Sequence, residues 1–179
     1  MYNFYKPYIY PYYINTPMYN LHNMYKYPYP CWFNAPMYKK QFIKLKDYGP
    51  EPFVVNIDEA TKQNNTYRTA LWTGENLQVT LMSIDVGDDI GLEVHPTVDQ
   101  FIRIEEGQGL VKMGNKKDKL DYQEKVSDDF AIMVPAGKWH NVINTGNKPL
   151  KLYAIYAPPE HPRGTIHETK ADAQVDEED

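Results

Sequence analysis

The chain has 179 residues, a net charge of −5 and one cysteine, Cys31. That length suits one domain with one core, and a lone cysteine cannot form an internal disulfide, which favours a reducing compartment. No apolar run approaches the roughly 18 residues of a membrane span and the N-terminus lacks the apolar core of a signal peptide, so the expected location is the cytoplasm and no membrane partner is expected. Charge is unevenly spread: residues 1–46 hold six lysines (Lys6, Lys26, Lys39, Lys40, Lys44, Lys46) and no acidic residue, which leaves −11 for the remainder. Lysines diluted by aromatics, without an arginine cluster or a groove-reading motif, argue against a nucleic-acid partner.

Residues 1–50 read as a low-complexity arm of Tyr, Pro, Asn, Met and Lys. Its proline density breaks helices and withdraws ladder donors, and Asn15, Pro17, Met18 and Tyr19 recur as Asn34, Pro36, Met37 and Tyr38. So many aromatics make the arm too adhesive for a solvated linker, so assembly contacts through residues 1–46 are expected. Gly49, Pro50 and Pro52 punctuate the boundary to a folded domain over 51–160. Strands are expected near 67–72 and 77–84, then through 100–106, 110–113, 118–126, 131–134, 139–144 and 150–156, separated by turn signals. Short strands with hardly any helical period give an all-β, antiparallel double-sheet barrel. The tail, 161–179, contains Thr169 and Asp172, three apart, which suit the cap of a short helix although Glu or Gln is the commoner partner. Residues 176–179 read as a frayed acidic end.

Two segments bear potential chemistry. The first runs from Gly87 through Glu93, His95 and Gln100 to Gly107; the second runs from Pro135 through Gly137 and His140 to Asn144. Alternation along a strand turns Glu93 and His95 the same way, groups Gln100 with Ile102 and Ile104, and groups His140 with Val142 and Asn144. Arg103 takes the opposite parity to Gln100 and points away.

These residues resemble the two signature motifs of the cupin superfamily, G-(x)5-H-x-H-(x)4-E-(x)6-G and G-(x)5-P-x-G-(x)2-H-(x)3-N. Glu93 stands in the first His slot, Gln100 in the Glu slot and Asp129 in the leading Gly of the second motif. The resemblance covers residues 53 to 160 and implies the cupin double-stranded β-helix, a jelly-roll barrel that commonly dimerises. It also implies a divalent transition metal (Fe, Mn, Zn or Ni) held by Glu93, His95, Gln100 and His140. Glu for His and Gln for Glu leave the ligand charge at −1, so the loaded site carries about +1 and attracts an anion. Weak donation by an amide would leave two imidazoles and one carboxylate with open positions. The competing reading is a set of satisfied polar residues in a barrel without metal.

Gln78, Thr80 and Met82 share a parity and are candidate walls of a substrate pocket, with Trp139 at its rim. His161 and His167 read as surface residues of the tail, with closure over the barrel mouth as the alternative for each. That tail is similar to those of single-domain bacterial cupins labelled mannose-6-phosphate-isomerase-like, and the arm is similar in composition to spore-coat proteins. Two functions follow: metal-assisted isomerisation or oxygenation of a small, anionic, sugar-like molecule, with the metal as Lewis acid, or a non-catalytic module anchored by its arm in a spore-coat-like assembly. No general base accompanies the ligands, so the sequence leaves the catalytic residues unassigned.

Overall fold

The computed structural model describes residues 42–178, with side chains through residue 175. The readings of the low-complexity arm, its repeat and Cys31 fall on residues 1–41 and lie outside the described residues. Chain order is α1 (Ile57–Gln63), β1 (Arg68–Thr73), β2 (Gln78–Ile84), β3 (Asp99–Glu106), β4 (Gln108–Gly114), β5 (Tyr122–Ser127), β6 (Ala131–Val134), β7 (Trp139–Asn144), β8 (Leu150–Ala157), β9 (Ile166–His167) and α2 (Lys170–Glu178). The strands form two antiparallel sheets ordered β6-β3-β8-β2-β1-β9 and β5-β4-β7, the architecture expected from the alternating pattern. Isolated bridges from Asp89 to Ile143 and from Glu93 to His140 lay the first motif along the free side of β7. None of the described helices is long and apolar enough to cross a membrane.

The core between the sheets contains Met82, Ile84, Ile102, Ile104, Val111, Val126, Val142, Leu150, Leu152 and Ala154, all buried. Each such large aliphatic side chain contributes about 1.5–3 kcal/mol by leaving water. Ile102 and Ile104 share the inner face of β3 with Gln100, as the parity requires.

A second cluster lies apart from the first: Ala60, Leu71 and Leu81 are buried beneath Ile43, Leu45, Tyr48, Phe53, Val55 and Ile57. Alternate residues of β1 and β2 therefore find apolar cover on both sides, and most positions of these strands are buried. The residues before β1 supply that cover. Helix α1 escaped the periodicity reading because seven residues make barely two turns. It is specified locally, with Asn56 capping Glu59 N and with Asp58 and Glu59 in the first turn.

Asp129 has φ 70. The motif places a glycine there because the chain must turn left-handed, and aspartate is among the few other residues that tolerate this region. In the tail, Thr169 N and Oγ1 donate to Asp172 Oδ2 at 2.8 and 2.9 Å while Asp172 N donates back to Thr169 Oγ1 at 3.3 Å. The expected cap is thus a reciprocal one, and α2 continues to Glu178.

Candidate metal centre

The two motifs meet through their backbones before their side chains do. Glu93 N donates to His140 O at 3.1 Å, His140 N to Glu93 O at 2.9 Å, and Gly137 N to His95 O at 2.8 Å. Asp99 Oδ1 accepts from Ala136 N at 2.9 Å, a further tie between them. Gly137 sits at φ 77, so glycine is favoured at the turn that delivers its N–H to His95.

Glu93, His95 and His140 bring one ligand atom each within 4.8 Å of one another. Glu93 Oε1 lies 3.1 Å from His140 Nε2 and 3.3 Å from His95 Nε2. The far side of each ring decides the chemistry. His140 Nδ1 lies 3.0 Å from the Lys138 carbonyl, which only accepts, so Nδ1 carries the proton. His95 Nδ1 lies 2.9 Å from the Glu160 carboxylate and is assigned its proton in the same way. In the neutral rings both Nε2 atoms then present lone pairs to Glu93 Oε1, acceptor against acceptor, unless a cation lies among them. His95 Nε2 is buried without a hydrogen-bond partner, because its approach to Glu93 is close but misaligned.

The donor set therefore fits a divalent transition ion. Bonds of about 2.0–2.1 Å to imidazole and carboxylate put neighbouring donors roughly 3 Å apart, the spacing found here. Two imidazoles and a carboxylate suit iron, manganese, nickel or zinc. Burial alone would raise the Glu93 pKa, but the adjoining imidazoles of His140 and His95 hold the carboxyl well below its usual range. Burial likewise depresses His95, yet Glu93 and Glu160 outweigh it and leave the imidazole raised.

Gln100 is buried on β3, paired in register with Tyr156, and its Oε1 has no hydrogen-bond partner. Its neighbour across β8 is Gln78, also opposite Tyr156. A cavity of about 560 Å³ opens onto the centre, lined by Arg68, Glu93, His95, Trp139, Glu160 and His161 among others. Trp139 thus borders the cavity, with Lys117 Nζ 5.5 Å from its ring centre. Gln78, Thr80 and Met82 are buried and are not among the side chains that line it. Met82 belongs to the core, Thr80 Oγ1 is buried without a partner, and Gln78 bonds the backbone of His161.

The tail histidines are not surface residues. His167 is buried and His161 partly so, and both line the cavity, because β9 pairs with β1 and draws the tail across its mouth. Burial, reinforced by Arg68, pushes the His161 pKa down to about 3. Arg68, 1% exposed, reaches Glu93 Oε2 at 3.9 Å. Sequence reasoning missed Arg68, Glu160 and Tyr156 as neighbours of the centre. Nothing in their spacing signals them, since they come from strand ends and a connection outside both motifs. Arg103 does point away, to Glu105 at 3.0 Å and Asp129 at 2.5 Å. Those two acids with Asp128 form another cluster of close carboxylates, mostly exposed and without an imidazole.

A cupin-domain family model matches residues 80–156. The uncharacterized protein YrkC of Bacillus subtilis is 59% identical over 185 residues that cover 99% of each chain. The crystal structure of BH2720 from Bacillus halodurans shares 66% identity at a TM-score of 0.73 and covers 73% of this chain and 99% of its own. The uncharacterized protein L612 of Acanthamoeba polyphaga mimivirus is 42% identical over 115 residues, 64% of this chain and 70% of that relative. With both motifs folded onto one centre inside a double-sheet barrel, the chain carries a cupin domain and belongs to one family with YrkC.

Proposed function

We propose that this protein is a metal-dependent cupin that converts a small, anionic, sugar-like molecule by isomerisation or oxygenation. The observation that carries the reading is the pair of imidazoles whose Nδ1 atoms are tied to Lys138 O and Glu160, turning both Nε2 atoms onto Glu93. Glu93, His95 and His140 hold the ion, and Gln100 is a weaker fourth ligand whose buried amide oxygen lacks another partner. A divalent ion bound there supplies Lewis acidity to a substrate oxygen. Glu160 fixes the His95 ring, and Arg68 balances the Glu93 charge from beneath. Trp139 and the tail residues narrow the mouth and limit water. The same reading takes the protein as a cytoplasmic homodimer.

The test is metal content first and turnover second. Purified protein is expected to hold close to one transition ion per chain, and His95→Ala with His140→Ala to hold almost none. A screen of sugar phosphates and sugar acids with the loaded protein then separates isomerase from oxygenase. Equal metal content in wild type and double variant overturns the assignment. The alternative, a non-catalytic module in a spore-coat-like assembly, draws on the lysine-bearing, acid-free composition of residues 1–46.

A further inference from the structure

The C-terminal segment is held against the cavity by an investment of polar groups that the metal centre itself does not explain. Gln78, fully buried, spends its amide on the backbone of one residue: its Nε2 donates to His161 O at 2.9 Å and its Oε1 accepts from His161 N at 3.0 Å. Gln78 Nε2 also donates to Thr73 Oγ1 at 3.0 Å, and Thr73 Oγ1 donates to Asp47 Oδ2 at 2.6 Å. The same Asp47 oxygen accepts from Gly164 N at 2.9 Å, which closes the network three residues beyond His161. Arg163 adds a bond to Gly49 O. The His161 ring packs edge-on against Tyr156, centroids 5.1 Å apart.

Yet the group so carefully placed is left unsatisfied. His161 Nε2 is buried without a hydrogen-bond partner, on a side chain that lines the cavity. Burying such a polar atom without a partner carries a free-energy cost, and on a fixed side chain it calls for an explanation. Filling the space with an apolar ring would avoid that cost, so a polar group from outside the chain is the economical account. Supporting shells of this kind are how binding groups are held in register.

We infer that His161 is a substrate-contacting residue, whose Nε2 makes a hydrogen bond to a hydroxyl of a small hydroxycarboxylate bound in the cavity before Glu93, His95 and His140. The inference rests on the metal-dependent reading above and adds the class of molecule. The carboxylate answers the cationic surplus of the cavity. A divalent ion less Glu93 leaves about +1, Arg68 and Lys117 add two and Glu160 removes one, so the lining retains about +2. The hydroxyl answers the uncharged imidazole, which can accept or donate where a second cation could only donate.

The experiment loads the full chain with zinc and titrates it calorimetrically with glycolate, L-malate and D-gluconate, in wild type, His161→Phe and Gln78→Leu. Zinc stoichiometry and thermal midpoint are read alongside. At least one probe is expected to bind wild type, and His161→Phe to weaken it by up to about tenfold, the worth of one neutral hydrogen bond. Zinc is expected to stay near one per chain, and the midpoint to be unchanged or raised because an unsatisfied group is gone. Gln78→Leu is expected to weaken the probe similarly at unchanged zinc, since it frees the segment that carries the ring. Equal affinity in wild type and His161→Phe at full zinc overturns the inference while leaving the metal reading intact. Binding of none of the three probes by loaded wild type also overturns it, and a wild type that takes up no zinc removes the metal reading itself.

Discussion

Glu160 and His95 form a carboxylate–imidazole pair across 65 residues of sequence, Oε1 to Nδ1 at 2.9 Å. The pair sets the tautomer of His95 and points its Nε2 at Glu93. Groups in this outer position are worth about 10 to 100-fold in metal affinity. Glu160→Ala is therefore expected to weaken metal binding by about that factor in competition with a chelator. Glu160→Gln, which keeps an acceptor oxygen, is expected to lose less. An affinity unchanged in Glu160→Ala would mean that Glu160 does not orient the ring.

Asp47 offers a pH-dependent test of the network that holds the C-terminal segment. Its carboxylate accepts from Gly49 N, Thr73 N, Thr73 Oγ1 and Gly164 N. Burial tends to raise its pKa, but the bonds from Thr73, Gly164 and Gly49 together leave it below the ordinary aspartate value. A depressed folded pKa means that the unfolded chain binds the proton first. The stabilisation is thus complete above about pH 4 and is lost as pH falls through the lower folded pKa. Asp47→Ala is expected to cost about 1–2 kcal/mol at pH 7, the low end for a charged acceptor because the group is partly exposed. Urea unfolding at pH 7 and pH 2.5 checks this: the gap between wild type and variant should shrink in acid, and a gap that is constant or grows contradicts it.

Asp129 occupies a left-handed turn and also pairs with Arg103 on the surface. Releasing the backbone is worth about 1 kcal/mol, and loss of the exposed pair offsets part of that gain. Asp129→Gly is expected to match wild type or exceed it by up to about 1 kcal/mol in denaturant unfolding, while Asp129→Val falls below it by about 1–2 kcal/mol. A stable valine variant would show that the turn relaxes freely.

Removal of residues 1–41 tests the assembly reading separately from the fold. The cut belongs before Ile43, because Ile43, Leu45 and Tyr48 pack over Ala60, Leu71 and Leu81. The shortened chain is expected to keep its thermal midpoint and to self-associate less in sedimentation. Unchanged sedimentation counts against an assembly role for the arm, and loss of folding shows that the arm belongs to the core.

Much of the site is written in short stretches of sequence. Glu93 and His95 face one way, Gln100 keeps company with Ile102 and Ile104, and the Thr169–Asp172 cap closes over three residues, because each follows from backbone geometry within a few positions. The fixed offsets of Gly137, His140 and Asn144 are legible for the same reason: Asn144 pins its own turn by bonding Lys148 O and Gly146 N. Helix α1 was hidden by its brevity, and the burial on both faces of β1 and β2 depends on a segment whose own pattern announces no element. Arg68, Glu160 and His161 reach the centre only after β9 has paired with β1 and β8 has entered between β3 and β2. Strand order and register are tertiary choices, and a one-residue slip of β1 would turn Arg68 to the other face. Sequence by itself determined a barrel with two facing motifs and the candidate metal-binding side chains they carry, whereas the tertiary structure alone decided which distant charges surround them, because those meetings depend on long-range pairing and on no local preference of the chain.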